Sequence, residues 1–233
     1  QGLIDNFLGR DSDYRWRLND EVDIPEDAHP LTNPGLELTG PWHPLDMAVK
    51  ALNSPAPMNM PDFEDAAPPH FRPDGAPGDQ PLGIFAAVEN AKQIFEGAWA
   101  DRVYEVVKKG KTRTYKIDAP PDQWPTRFAR PPSIHVRYHH ITVDGQPVHG
   151  MIPITLLWAL NNHEALTRIG TGLYYYIPKI QTPQEALIVE KLLTRVEGLL
   201  GVQPGTIKIK VLYEEGNAGR FLPVNAWVWR RRL

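Results

Sequence analysis

The feature that most narrows the fold is a regular change of hydrophobic period between residues 152 and 213. Ile152 to Arg168 carries apolar residues at helical spacing and is stopped by Gly170. Gly172-Leu-Tyr-Tyr-Tyr-Ile177 follows as a near-continuous apolar and aromatic run, the pattern of a strand covered on both faces. Thr182-Pro-Gln-Glu185 then offers an N-cap, a proline at the first helical position and a glutamate three residues after the cap. That helix runs to Leu200 and closes at Gly201. Ile207 to Tyr213 is the next strand and ends at Glu214 and Glu215. Helix, strand, helix, strand, with short apolar strands, predicts βα units on a parallel sheet and an α/β class.

The front half is less regular. Residues 1–34, broken by Pro25, Pro30 and Pro34, read as an N-terminal wrapping segment. Leu36, Leu38 and Gly40 alternate like a short strand. Leu45, Ala48, Val49 and Leu52 fall at helical spacing, with Pro44 suited to a first helical position. Met58 to Phe63 is a second short strand, ending in Asp62, Glu64 and Asp65. Five prolines between residues 66 and 83 predict a loop, and Ile84 to Ala100 is helical by period. Tyr104 to Ile117 reads as a β-hairpin folded at Lys109-Gly110-Lys111, with a second hairpin turn at Val143-Asp144-Gly145-Gln146 and a short strand over Thr126 to Arg130.

Composition excludes several functions. The chain has no Cys, so thiolate chemistry, disulfides and Cys-ligated metals are out, and any metal is held by oxygen or imidazole. Its 25 Lys+Arg against 28 Asp+Glu lack the basic footprint of a nucleic-acid binder. No apolar run reaches the roughly 20 residues that span a bilayer, and a cytoplasmic protein is the expectation. His135, His139 and His140 cluster without H-E-x-x-H spacing and read as loop groups. Lys108 to Arg113 lacks phosphate-loop spacing, and Arg230-Arg231-Arg232 reads as a solvated helix face.

Parallel βα folds collect their chemistry at the carboxyl ends of strands, where loops converge. Four such ends carry charged residues here: Asp62-Phe-Glu64-Asp65, Arg130, Lys179 and Glu214-Glu215. Several carboxylates at neighbouring strand ends suit Mg²⁺, which takes one or two protein carboxylates plus substrate oxygens and water. A fixed Arg beside that ion would bind a carboxylate or offset a developing oxyanion. Tyr174-Tyr-Tyr176 reads as core packing at strand period.

Several blocks, in order, resemble the malate synthase family. They are Leu38-Thr-Gly-Pro41 with Ala51-Leu-Asn53, Met60-Pro-Asp-Phe-Glu-Asp-Ala66, and Arg130-Pro-Pro-Ser-Ile-His135 with His140. Further along come Asp144-Gly-Gln-Pro-Val-His-Gly150, Leu160-Asn-Asn-His-Glu-Ala-Leu166, Gly170 to Lys179 and Gly205 to Glu214. The resemblance implies a (β/α)₈ TIM barrel that condenses glyoxylate with acetyl-CoA using Mg²⁺. It implies that Arg130 is catalytic and substrate-binding. Asp62 and Glu64 would act beside it, Glu214 would ligate Mg²⁺ and contact substrate, and Asp65 would stand at the metal. A related 2-hydroxyacyl-CoA lyase or aldolase on the same barrel, or a non-catalytic subunit, would use the same framework.

The sequence also departs from that family. Pro132 replaces a second Arg after Arg130, and Glu215-Gly216-Asn217 follows Glu214 in an altered metal loop. Nothing matches the family's second metal ligand or its aspartate base. A (β/α)₈ barrel needs about 250 residues, while much of this chain precedes the alternation. The expectation is therefore an incomplete barrel over 35–233, with 101–150 an inserted hairpin region. A C-terminal half or a complementing chain would supply the missing groups.

Overall fold

A computed structural model describes residues 35–67 and 80–233. The expected wrapping segment 1–34 and most of the proline-rich loop lie outside the described residues. Five short strands run parallel. β1 (Glu37–Gly40), β2 (Met58–Pro61) and β5 (Thr126–Arg127) form one sheet, and β8 (Tyr174–Ile177) pairs with β9 (Lys208–Val211). A parallel bridge from Ala129 to Tyr175 joins the two sets, with Ala129 donating to the Tyr174 carbonyl and Tyr176 to the Ala129 carbonyl. The order β1-β2-β5-β8-β9 is thus a continuous arc, and its described strands do not close into a barrel.

Helices cover one face of this arc. They are α1 (Leu45–Leu52), α2 (Gln80–Phe95), α3 (Met151–Arg168) and α4 (Pro183–Leu200), followed by the short α5 (Gly216–Arg220) and α6 (Leu222–Val228). α4 starts as its sequence predicts: the Thr182 side chain accepts from the Glu185 amide, and Glu185 reaches back to the Thr182 amide. Such a cap is worth about 1 kcal/mol. Gly201 ends the helix at φ 71, where a side chain would be strained.

Two elements shift from the expectation. Pro44 is the residue before α1 and not its first turn, because its ψ of 163 is extended. α2 begins at Gln80 and ends at Phe95, earlier at both ends than its apolar period suggests. Pro81 is tolerated in the first turn, where its missing N–H has no helical acceptor.

Both hairpins form. β3 (Val103–Lys108) and β4 (Lys111–Lys116) meet at Lys109-Gly110, and β6 (Arg137–Val143) and β7 (Gln146–His149) meet at Asp144-Gly145. Positive φ at both turn residues (53 and 71; 50 and 73) matches the twist of antiparallel strands.

The core lies between arc and helices. Trp42, Phe63, Phe95 and Trp158 meet with ring centroids 5.6 to 6.0 Å apart. Tyr175 and Ile177 of β8 and Ile209 of β9 face this layer, and the Tyr175 hydroxyl donates to the Thr155 carbonyl of α3 at 2.8 Å. Tyr174 and Tyr176 point the other way and are only half-buried. The expectation of a strand covered on both faces, with all three tyrosines in the core, is corrected here: the inner side of the arc is open.

The arginine run is corrected more sharply. Arg232 is buried, at 1% exposure, and is held by Glu190 and Glu197 of α4. The run lies in a turn past α6, where Arg231 is exposed as expected and Arg232 alone makes a packed ionic contact.

Candidate active site

β2 and β5 deliver their charged residues to one level. Asp62 and Arg130 form a parallel bridge just beyond the strands: the Arg130 amide donates to the Pro61 carbonyl and the Phe63 amide to the Arg130 carbonyl. Phe63 is buried under the helices, so its neighbours Asp62 and Glu64 turn toward the inner side. The Asp62 carboxylate accepts the Glu64 and Ala66 amides at 2.9 and 3.1 Å and folds the loop around itself.

The buried Arg130 guanidinium is the hub. Its Nη1 lies 3.5 Å from Asp62, and its Nη2 lies 3.1 Å from Glu64, 2.7 Å from Asp65 and 3.9 Å from Glu214. Lys179, just beyond β8, places its ammonium 2.9 Å from Asp65 and 3.3 Å from Glu64. Lys179 sits at φ 54, a left-handed conformation costing a non-glycine residue about 1–2 kcal/mol, which these two ion pairs help offset. Glu64 is also bound by Ser133, whose hydroxyl is 2.5 Å from its Oε1 and 3.1 Å from His135 Nε2.

The sequence-predicted residues Asp62, Glu64, Asp65, Arg130, Lys179 and Glu214 therefore meet in one cluster. Glu215 does not join it; it precedes α5 without a capping side-chain bond. His139 and His140 lie exposed on β6. Ser133 was missed, because a lone serine three residues past an arginine carries no sequence signal.

Burial opposes the charged forms of Arg130 and Lys179, but the surrounding carboxylates outweigh it and raise both pKa values. Burial likewise pushes the Asp65 carboxyl up, and the hydrogen bonds from Lys179 and Arg130 more than reverse this, holding it below its ordinary value. Arg130 Nε is buried and has no partner among the described residues.

Four carboxylates face two cations, leaving two negative charges in excess (four minus two). The donors are all oxygen, and Asp65 and Glu214 converge on the same Arg130 nitrogen. That suits Mg²⁺, which needs only one or two protein carboxylates. Among the described residues no group of three His, Asp or Glu side chains is arranged to hold a metal ion. Among the same residues no helix is long and apolar enough to cross a membrane.

Charged groups gathered at the carboxyl ends of parallel strands, with helices on the outer face, define the site layout of (β/α) barrel enzymes. Residues 126–222 match the family described as malate synthase, TIM barrel domain. The chain is 32% identical over 184 residues to the glyoxysomal malate synthase of Cucumis sativus and 30% identical over 182 residues to that of Cucurbita maxima. Each alignment covers 77% of this chain and 29% of the relative. A solved malate synthase of Haloferax volcanii superposes with a TM-score of 0.48 at 15% identity, covering 84% of this chain and 48% of that one. Residues 126–222 are thus similar to the TIM barrel domain of malate synthases, and the arc is part of such a barrel. It spans less than a third of the length of those curated relatives.

Proposed function

We propose that this site serves a malate-forming Claisen condensation, in which glyoxylate, acetyl-CoA and water give malate and free CoA. The observation that supports it is the convergence, from four strand ends of a malate-synthase-type arc, of Arg130 and Lys179 with Asp62, Glu64, Asp65 and Glu214. Mg²⁺ held by Glu214 and Asp65 would polarise the glyoxylate aldehyde and neutralise its carboxylate.

Arg130 supplies the fixed positive charge. Removing a methyl proton from acetyl-CoA leaves an enolate, and the preorganised, buried guanidinium would offset its oxygen charge. Glu64, tied to Ser133 and Lys179, fixes one side of that guanidinium, and Asp62 fixes the other while shaping its own loop. Lys179 keeps Asp65 ionised and in place. Cleavage of a 2-hydroxyacyl-CoA or 2-hydroxy acid makes the same demands in reverse, and the departures at Pro132 and Glu215-Gly216 favour keeping it as the second reading.

Calorimetry of glyoxylate binding with Mg²⁺ tests the assignment. Arg130→Lys and Glu214→Gln are each expected to weaken binding at least tenfold, and unchanged affinity in both overturns the site. In a glyoxylate-dependent CoA-release assay, Arg130→Lys is expected to slow turnover about 10²–10³-fold. Aldehyde release from a 2-hydroxyacyl-CoA, without CoA release from acetyl-CoA, would select the lyase.

A further inference from the structure

Three residues before Arg130, in β5 itself, lies another buried arginine, and among the described residues nothing pairs its charge. Arg127 is 4% exposed. Among the described residues its guanidinium makes one hydrogen bond, from Nη1 to the Pro125 carbonyl at 2.8 Å. Its Nε is buried without a partner, and no carboxylate there lies within ion-pair distance. Two rings flank it: Phe95 of α2 at 5.3 Å and Trp124 at 5.8 Å from the guanidinium carbon. Burial pushes its pKa down to about 10, still well above neutrality, so the charge persists.

A buried, unpaired cation is costly, and folds normally match one with an anion. Here the guanidinium borders a cavity of about 130 Å³, also lined by Trp124, Thr126, Ile169, Thr171 and Tyr174, with the exposed Asp122 at its edge. That volume is well below the 300–1,000 Å³ typical of drug-sized ligands, so it suits an ion or a single anionic group. Arg127 is the cationic side chain lining this cavity, and a planar fork of donors matches carboxylate or phosphate oxygens. A second cavity of about 300 Å³ shares Pro121, Trp124 and Ile169 with the first, giving room for the body of a ligand whose anionic group meets Arg127.

We propose that Arg127, between Phe95 and Trp124 at the amino end of the arc, binds the carboxylate or phosphate group of a small molecule at a site separate from the Arg130 cluster. Three residues of extended chain separate the two arginines, roughly 10 Å; Arg127 lies within β5 and Arg130 beyond it. Asp122 disfavours a ligand with several negative charges near the mouth.

The test uses inorganic phosphate and acetate as probes, titrated into the full chain at constant ionic strength set with chloride. Saturable binding is expected for at least one of them, with a rise in melting temperature by mass action. Tighter phosphate binding assigns a phosphate group; tighter acetate binding assigns a carboxylate. Arg127→Met keeps the side-chain length without the charge, and should weaken binding at least tenfold and abolish the anion-dependent rise. Should that variant not fold, Trp124→Phe provides the second measurement. It keeps the guanidinium, so binding persists while the anion-induced change in tryptophan emission disappears. No saturable binding by either probe, equal affinity in Arg127→Met, or an emission change surviving in Trp124→Phe overturns the proposal.

Discussion

Arg130 and Arg232 are buried to nearly the same degree, at 5% and 1% exposure, yet they are held in opposite ways. Arg232 is gripped by one element. Glu190, Thr194 and Glu197 recur at helical spacing on α4 and take its Nε, Nη1 and Nη2, while the Ile207 carbonyl accepts a further bond from Nη1. Arg130 is gripped by two loops. Its carboxylates come from the loops after β2 and β9, and its Nε is left without a partner. One arginine completes a packing contact whose bonds are saturated. The other sits in a cluster with spare negative charge and an unused donor, where a ligand still has something to bind. Burial and carboxylate partners alone therefore do not distinguish a brace from a site; the number of converging segments and the unsatisfied remainder do.

The largest expected effect breaks the brace. Arg232→Met removes the counter-charge of the fully buried Glu197 and leaves it only the Gly205 and Ile207 amides, and loss of one partner from a buried pair costs about 3–5 kcal/mol, read from the urea midpoint. Arg130→Met should cost less, about 1–3 kcal/mol by the same measurement. Its carboxylates retain other partners: backbone amides for Asp62, Ser133 and Lys179 for Glu64, and Lys179 for Asp65. A larger loss at Arg130 than at Arg232 would erase the distinction drawn between them.

The smallest effect is a titration. Because the folded Asp65 pKa is depressed, its pairing stabilises the fold above its ordinary value of 3.8 and is lost as pH falls through the lower folded value. Lys179→Met removes one of the two cations responsible. The Asp65 pKa, followed by carboxyl NMR, should then rise, and the acid limb of the stability curve should begin at higher pH.

What could be read from the sequence has a physical pattern. Asp62, Arg130, Lys179 and Glu214 were legible because each terminates a short apolar run, and parallel strands bring such ends together whatever the loops between them do. The capping box of α4 and both hairpin turns were legible because their chemistry is local. Arg232 was not, since its partners lie 35 to 42 residues earlier on a stripe that reads as solvent-facing until the chain returns over it. Ser133 and Arg127 were hidden for a related reason: a hydroxyl's partner and a charge's lack of one are properties of packing. The half-burial of Tyr174 and Tyr176 follows from the open inner face of the arc, which periodicity does not encode.

Glu197 has one more consequence. Besides binding Arg232, its Oε1 accepts the Gly205 and Ile207 amides, each at 2.9 Å, and the Ile209 amide donates to the Arg232 carbonyl. The rear of β9 is thus anchored by a helix carboxylate, and the strand works as a rod of fixed length whose far tip is Glu214. How high that tip stands beside Arg130 is set at the other end of the rod, so a change at Glu197 would carry through to the alignment of the site.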